Sequence, residues 1–241
     1  ASIPTTSMCM INIKSVSKSF GMKQVLKDIT LNIAPGEFTT LVGPNGSGKT
    51  TLLRIIATLL RPNSGQVTIA GLDLNTSSHA VRQLLGVVSH HTLLYDNLTA
   101  YENLLFYARL YSIKDYANRI SMVLDKVDLT ESKDILVRTF SHGMQQRLSI
   151  ARAILHNPRV ILFDEPHTGL DQNNSVRLDQ ILQSTSTSGN TVLMITHDIK
   201  HALALSDKIA VLHKGEVVYQ GSTAQLSFDE FAHKYHEIIN V

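Results

Sequence analysis

Cysteine, net charge and long apolar runs are all scarce in this chain of 241 residues. The single cysteine, Cys9, excludes an internal disulfide and is typical of a reducing compartment. The formal net charge is only +2 with no basic block, which argues against a nucleic-acid-binding surface. No apolar stretch reaches the length of about 18 residues needed to cross a bilayer, and the polar start does not resemble a signal peptide. We therefore expect a soluble chain with no direct membrane insertion, which would reach a membrane only through a partner.

The composition of the chain is that of a globular protein. Hydrophobic residues make up 43% and charged residues 17%. With this length, the composition predicts one large domain, or one domain with a subdomain, and a substantial core.

A glycine-rich segment fits the phosphate-binding pattern G-x-x-x-x-G-K-[ST]. It consists of Gly43, Pro44, Asn45, Gly46, Ser47, Gly48, Lys49 and Thr50. The apolar run 37–42 before it predicts a buried strand, and residues 51–60 after it predict a helix. Small residues let backbone N–H groups and the helix N-terminus surround a phosphate. Lys49 adds charge for the β and γ phosphates, and the Thr50 hydroxyl is placed to bind Mg²⁺. The segment predicts a nucleoside triphosphate site rather than a glycine-rich turn that matches by chance.

Two adjacent carboxylates follow a second apolar run. Residues 159–163 have the composition of a buried parallel strand, and Asp164 and Glu165 come directly after it. The carboxyl end of such a strand lies at the same sheet edge as the phosphate loop. We expect Asp164 to hold Mg²⁺, directly or through water, and Glu165 to polarise the attacking water as general base. The alternative is a solvated turn pair.

The order of the predicted elements indicates a mixed α/β architecture. Early antiparallel strands are expected at 11–13, 25–33 and 66–71, beside a strand–helix core. Thr99 and Glu102 have the spacing of a capping box, and helical periodicity follows. We interpret residues 92–157 as a helical subdomain inserted into the core, although ordinary crossover helices would fit the same periodicity.

The boundaries follow from the same pattern. We expect a flexible lead-in over 1–10, a single domain over 11–226, and a C-terminal helix or tail over 227–241. Further strands are predicted at 191–195, 209–212 and 217–219, the last two as a hairpin.

Three further motifs complete an ordered series. Phe140-Ser141-His142-Gly143-Met144-Gln145-Gln146-Arg147 precedes a predicted helix, and Thr168–Asp171 and Ile195–Asp198 come later. With the phosphate loop and the carboxylates, this order resembles the ATP-binding-cassette (ABC) ATPase family, whose signature is Leu-Ser-Gly-Gly-Gln. The resemblance implies an α/β P-loop NTPase core of the RecA-like type, with an antiparallel β subdomain and an inserted helical signature subdomain. It also implies ATP and Mg²⁺ as cofactors.

The same resemblance implies a dimer. Two copies would pair head to tail, with each ATP between one phosphate loop and the signature of the other copy. Ser141 and Gly143 would contact the γ-phosphate across this interface. Asp171 would bridge the two subunits.

Further roles are implied on the nucleotide side. His197 would hydrogen-bond the γ-phosphate and sense its loss, Phe20 would stack on adenine, and Thr51 would join the phosphate loop in binding the nucleotide. Taken without the resemblance, His197 is an ordinary strand-end histidine and Phe20 a core phenylalanine.

The sequence departs from the family pattern at several histidines. His142 replaces the first glycine of the signature, and Met144 replaces its glutamine. The Q-loop position, which should carry glutamine, falls on His91, with His90 as the alternative. Because imidazole differs from an amide in reach and pKa, we expect slower or pH-sensitive coupling between ATP and a transporter. A zinc site at this pair is a weaker interpretation, because no third ligand is near in the sequence.

The resemblance also narrows what the ATPase drives. The short spacing from Lys49 to Ser141 leaves no room for the coiled coil of chromosome-maintenance ATPases. One cassette does not match the tandem factors that act on ribosomes. We expect the ATPase subunit of a membrane transporter, cytoplasmic and peripheral on the inner face of the cell membrane. Its membrane-spanning partner would be another chain, docked around His91–Asn103.

The prediction of the transporter subfamily rests on two segments. Residues 86–104 and 140–147 resemble the haem-exporter ATPases of cytochrome c maturation, which typically show Ser-His-Gln-Thr and Ser-His-Gly-Met there. The ATPase of a drug or lipid exporter is the alternative.

Overall fold

The computed structural model describes residues 9–89, 91–224 and 226–239. In chain order the strands are β1 (Ile11–Phe20), β2 (Lys23–Ile33), β3 (Phe38–Val42), β4 (Ser64–Ile69), β5 (Leu72–Asp73), β6 (Leu85–Val88), β7 (Val160–Asp164), β8 (Thr191–Thr196), β9 (Lys208–His213) and β10 (Glu216–Ser222). The helices are α1 (Lys49–Ile56), α2 (Ser78–Leu84), α3 (Ala100–Leu110), α4 (Tyr116–Lys126), α5 (His142–Ile154), α6 (Gln172–Thr187), α7 (Ile199–Leu205) and α8 (Phe228–Ile239).

The central sheet has the strand order β10-β9-β3-β8-β7-β6. All neighbours are parallel except β10, which pairs antiparallel with β9. Every residue of β3, β7 and β8 is buried, as apolar runs covered on both faces require. Because the three strands run in the same direction, the phosphate loop, the two carboxylates and His197 all leave the sheet at one edge.

The side chains of the central strands alternate between two core clusters. Ile161 and Phe163 of β7 pack with the helical region, whereas Leu162 packs with α1 and the antiparallel sheet. That second sheet has the order β2-β1-β4-β5. The predicted α/β core with an antiparallel β subdomain is confirmed.

The backbone of Met10, one residue before β1, already makes the hydrogen bonds of the antiparallel sheet. The Met10 N–H donates to Ile33 O at 2.8 Å, and Met10 O accepts from Ala70 N at 2.8 Å. Placing Met10 in a flexible lead-in was therefore wrong, because its backbone already joins the sheet. Residues 1–8 of that lead-in lie outside the described part of the chain.

The helical region contains α3, α4 and α5 around a shared apolar core. The predicted capping box is present: Thr99 Oγ1 accepts from Glu102 N at 3.1 Å, and Glu102 Oε2 accepts from Thr99 N at 2.8 Å. Leu104, Ile120 and Leu148 come from the three helices and are fully buried in one cluster with Phe163 of the central sheet. This contact fixes the helical region against the sheet.

The helix after the phosphate loop differs from its predicted range. It was expected at 51–60, but α1 spans Lys49–Ile56. It starts earlier because Gly48, at φ 111°, occupies the N-cap, so the loop itself supplies the first turn. It ends earlier because Thr58 takes a left-handed φ of 63°.

The C-terminal part closes the opposite end of the sheet. The predicted hairpin turns at Lys214 and Gly215, with φ values of 46° and 84°, as a two-residue hairpin loop favours. Helix α8 buries Phe231 and Tyr235 against β9. Within residues 9–89, 91–224 and 226–239, no helix is both long and apolar enough to cross a membrane.

Candidate active site

Two glycines of the phosphate loop, Gly43 and Gly48, pack too closely against neighbouring strands for a side chain. A Cβ on Gly43 would lie 2.1 Å from Leu212 O, and one on Gly48 would lie 2.7 Å from Leu26 Cδ2. The loop therefore packs its backbone against β9 and β2, which leaves a concave turn at the N-terminus of α1. A helix N-terminus of this kind attracts anions.

Lys49 lies across this turn. Its Nζ donates to Gly43 O at 2.7 Å and to Pro44 O at 3.1 Å. Burial lowers the pKa of Lys49, while the nearby Glu165 and Asp164 carboxylates raise it. The ammonium group is thus held inside the loop, between backbone carbonyls and two acidic side chains.

A cleft of about 580 Å³ opens beside the loop, within the size range of small-molecule sites. Its lining combines phosphate-loop residues with Glu165 and with residues from β2 and the β9–β10 turn. The full lining is Lys23, Gln24, Val25, Lys27, Asn45, Gly46, Gly48, Lys49, Thr50, Thr51, Glu165, Lys214 and Gly215. Its four lysines make the cleft suited to a polyphosphate.

The two carboxylates occupy different positions at the end of β7. Asp164 is 9% exposed, so the alternative of a solvated turn pair is wrong for it. Glu165 has a left-handed φ of 49°, which is uncommon for a residue other than glycine and is typical of functional sites. Its Oε2 lies 2.8 Å from His197 Nδ1 and accepts from His197 N at 3.4 Å. The structure therefore joins the predicted base to the predicted switch histidine.

Phe20 lies at the end of β1 and is 51% exposed, so the alternative of a core phenylalanine is wrong. Lys18 Nζ lies 5.3 Å from its ring centroid. Its partner in the β1–β2 register is Lys23, which lines the cleft. The ring is therefore exposed near the rim of the cleft.

The signature segment begins α5. Ser141 is the N-cap, and its Oγ accepts from Met144 N at 3.3 Å. A Cβ on Gly143 would lie 2.5 Å from Asn174 Oδ1 of α6, so a larger residue here would displace the Asn174 amide. His142 Nε2 lies 3.1 Å from Thr168 O, in the segment after β7.

Asp171 caps α6 in the same area. Its Oδ1 accepts from Asn174 N at 2.9 Å, and its Oδ2 accepts from Asn174 Nδ2 at 2.7 Å. These backbone and side-chain hydrogen bonds from Asn174 lower the pKa of Asp171. Asn174 thus touches both the signature and Asp171 within one chain.

The structure separates the predicted site residues into two groups. The phosphate loop, Thr51, Asp164, Glu165 and His197 share one edge of the central sheet. Ser141, Gly143 and Asp171 form the second group and do not line the cleft. His91 is exposed in the segment between β6 and α3, and its alternative, His90, lies outside the described residues.

Sequence reasoning missed part of the cleft lining. Lys23, Gln24 and Val25 come from β2, and Lys214 was interpreted only as part of a hairpin turn. No short motif marks these residues. Lys214 reaches the loop because β9 is the neighbour of β3, and β2 is joined to the β9–β10 turn by a hydrogen bond from Lys27 N to Gly215 O at 2.8 Å.

Comparisons with known proteins agree with the order of the motifs. A family model described as ABC transporter matches residues 26–168. The ABC transporter ATP-binding protein NatA of Bacillus subtilis (strain 168) is 37% identical over 224 residues, which are 90% of this chain and 91% of NatA. The linearmycin resistance ATP-binding protein LnrL of the same organism is 31% identical, over 90% of this chain and 70% of LnrL.

The fold of this chain also matches that of a solved ATP-binding cassette. The dimeric ATP-binding cassette MJ0796, in a post-hydrolysis state bound to ADP and Pi, is 33% identical with a TM-score of 0.80. The alignment covers 90% of this chain and 100% of that one. Since the family match spans more than half of the sequence, the chain belongs to the ABC transporter family of ATP-binding, ATP-hydrolysing cassettes.

Proposed function

We propose that this chain is the ATPase subunit of an ABC exporter and that it hydrolyses ATP as a head-to-tail dimer of two copies. The observation that carries the proposal is the division of the site residues. One group surrounds a lysine-lined cleft, and the other stands apart at the exposed start of α5. A second copy would bring the second group to the first.

On the nucleotide side, the loop Gly43–Thr51 would hold the phosphates. Lys49 would exchange its contacts with the Gly43 and Pro44 carbonyls for phosphate oxygens, since all of these are hydrogen-bond acceptors. Phe20, exposed at the end of β1, would stack on adenine.

Thr50 and Asp164 fit a Mg²⁺ site. They offer oxygen donors, and Asp164 is a buried carboxylate whose charge raises the pKa of Lys49 and would favour a cation. Mg²⁺ bound there would neutralise charge on the β and γ phosphates. The residues of this chain would position the triphosphate and the water.

Glu165 and His197 would carry the chemical step. Glu165 would accept a proton from the attacking water as general base. The 2.8 Å contact between His197 and Glu165 keeps the imidazole at the sheet edge, where 64% of its side chain is exposed. We infer that His197 turns from Glu165 to the γ-phosphate when ATP binds.

The signature would complete the site from the other copy. Ser141 and the N–H of Gly143 begin α5, a helix of 13 residues whose N-terminus carries partial positive charge. Asp171, held by Asn174 at the start of α6, would bridge the two copies. The dimeric state of the MJ0796 cassette supports this arrangement.

The membrane subunits would dock beside α3. Several large apolar side chains are exposed there, and the rings of Tyr95 and Phe106 lie 5.0 Å apart, edge to face. The exposed members of this group are Leu93, Tyr95, Phe106, Leu110 and Tyr111. Exposed apolar groups in one area are typical of interaction sites. They support the surface predicted at His91–Asn103 and extend it along α3, on the cytoplasmic face of a membrane.

The identity of the transported molecule is the most specific part of the proposal. The Ser-His segments at 89–91 and 141–142 favour haem export. The second candidate is a drug or lipid exporter, and the name of LnrL favours drug resistance. Co-purification with the native membrane subunits, followed by an ATPase assay with and without haem, distinguishes these two candidates.

Replacing Glu165 by Gln tests the proposed hydrolysis. We expect turnover to fall by about 100- to 10,000-fold while ATP binding persists and the ATP-bound dimer accumulates. Glu131→Gln, at an exposed position of the helical region, is the matched control and should hydrolyse ATP like the wild type. Turnover near the wild-type rate in Glu165→Gln would contradict the assigned base.

A further inference from the structure

Two histidines and one aspartate converge at a second place, outside the cleft. His167 follows β7, Asp179 lies in α6 and His201 lies in α7. His167 Nε2 lies 2.7 Å from Asp179 Oδ1, and His201 Nδ1 lies 3.3 Å from the same oxygen. The three atoms all lie within 4.8 Å of one another. Neither the motifs nor the proposed ATP chemistry uses these residues.

We propose that the His167–Asp179–His201 cluster binds one divalent transition-metal ion of the Zn²⁺ type. Two imidazole nitrogens and one carboxylate oxygen are a donor set that such ions prefer, with a fourth position left for water. Mg²⁺ prefers oxygen ligands, so this ion would differ from the Mg²⁺ expected beside Thr50.

The burial of the three side chains suits a specific site. The side chain of His167 is 9% exposed, that of Asp179 is 25% exposed and that of His201 is 23% exposed. Because His167 is buried, its position is fixed by packing. Asp179 and His201 are partly exposed, so an ion could reach the cluster from solvent. In the described part of the chain Asp179 pairs with these histidines, so a dication would supply positive charge beside its carboxylate.

A carboxylate stands behind one of the proposed ligands. His201 Nε2 lies 3.8 Å from Asp198 Oδ2. Asp198 is itself fixed, because its Oδ1 accepts from Lys200 N and from His201 N at the start of α7. A metal-bound histidine usually donates its other ring N–H to a carboxylate. On coordination through Nδ1, the ring N–H of His201 would lie on Nε2, which faces Asp198.

One ring has to turn before both nitrogens can face a common ion. The imidazoles of His167 and His201 are stacked, with centroids 3.9 Å apart and planes at 15°. The in-plane lone pairs of stacked rings lie in nearly parallel planes that do not meet, whereas the lone pairs of two ligands to one ion must converge on it. His201 is the ring with room to turn, because it is the more exposed of the two. The nitrogen and oxygen ligands would then lie about 3.3 Å apart, as bonds of about 2.0–2.1 Å to a tetrahedral ion require.

A bound ion would connect two segments that matter elsewhere in the molecule. His167 is two residues after Glu165, and α7 begins two residues after His197. The ion would tie these segments together without contacting ATP.

Titration of the full chain with Zn²⁺ and with Co²⁺, without nucleotide, tests the site. We expect one equivalent of Zn²⁺ by calorimetry and the visible absorption of nitrogen-ligated Co²⁺. Asp179→Asn and His201→Asn should each weaken binding at least about 100-fold, since loss of a mere outer partner costs about 10–100-fold. Asp198→Asn should weaken it about 10-fold. His79→Asn, at an exposed position of α2, is the matched control and should bind like the wild type.

Melting curves keep the test independent of folding defects. In EDTA, Asp179→Asn and His201→Asn, which change the two more exposed members of the cluster, should melt close to the wild type. Zn²⁺ should raise the melting temperature of the wild type and of His79→Asn but not that of Asp179→Asn. Paramagnetic Co²⁺ should also broaden the ring signals of His167 and His201 first in the wild type. The proposal is overturned if the wild type takes up no Zn²⁺ or Co²⁺, if Asp179→Asn binds as tightly, or if other histidines broaden first.

Discussion

The phosphate-loop edge and the signature end of the helical region present their functional groups in opposite ways. Lys49 and Asp164 are largely buried next to a formed cleft, Lys49 held by the carbonyls of the phosphate loop and Asp164 by the end of β7. Ser141 and His142 are exposed, and their hydrogen bonds stay within their own helix or reach the loop after β7. In the proposed dimer, the phosphate-loop region would therefore be complete within a single copy, whereas the signature would act only on the nucleotide of the other copy.

The largest effect is expected in the phosphate-loop region, where a substitution should weaken ATP binding by a single copy. Lys49→Ala should reduce turnover by roughly 1,000-fold, since it removes the positive charge facing the β and γ phosphates. It should also weaken ATP binding by a single copy, measured by calorimetry under conditions where the chain is monomeric. Lys114→Ala, at an exposed position between α3 and α4 and outside the cleft lining, is the matched control and should bind ATP like the wild type. If Lys49→Ala bound ATP with wild-type affinity, the claim that the phosphate-loop region binds ATP within one copy would be contradicted.

A smaller effect should follow from the signature. Ser141→Ala should lower turnover by up to about 100-fold, as loss of one hydrogen-bond donor to a developing charge does. ATP binding by the monomer should not change, because Ser141 does not line the cleft. Steady-state ATPase assays and monomer binding curves together check this. A loss of monomer ATP binding in Ser141→Ala would show that the two regions form one site within a copy.

The packing between the signature and α6 predicts a stability effect. A Cβ on Gly143 would lie 2.5 Å from Asn174 Oδ1, so Gly143→Ala should destabilise the fold by about 1–3 kcal/mol. Asn174→Ala removes the clashing amide, and the double variant should recover part of this loss. Urea unfolding of the four proteins measures the coupling. Additive free energies of unfolding would contradict the contact.

The smallest effect at neutral pH concerns the attachment of the helical region to the sheet. His156, just after α5, lies 3.0 Å from Leu85 O through Nε2 and stacks on Tyr111. Burial lowers the pKa of His156 to about 4, and the Leu85 hydrogen bond only partly offsets this. The unfolded chain binds this proton near pH 6.5, so the histidine should reduce stability as pH falls from about 6.5 to about 4. His156→Gln should flatten the pH dependence of the unfolding free energy in that window, and an unchanged slope would contradict the shift.

The sequence predicts the phosphate-loop region better than the rest, for a physical reason. Gly48 takes a positive φ of 111° that favours glycine, and the loop is one continuous segment whose residues a short motif records. Helices α2 and α7 were missed because each has seven residues and few buried ones, too few for a clear period. Lys23 and Lys214 reach the cleft from two different sheets, and the histidine cluster forms across three elements. Contacts of that range leave no local pattern.

The measurement that tests the composite site most directly is a cross-link between two copies. Cys9 is the only cysteine, so a Cys9→Ser background allows Asn45→Cys in one copy and His142→Cys in another. A disulfide requires Cα atoms about 4.4–6.8 Å apart, so it reports close approach of loop and signature. In Glu165→Gln copies with ATP and Mg²⁺, we predict a covalent heterodimer that is absent without ATP. If the mixed copies stay uncross-linked in ATP, or cross-link equally without it, the head-to-tail site is contradicted.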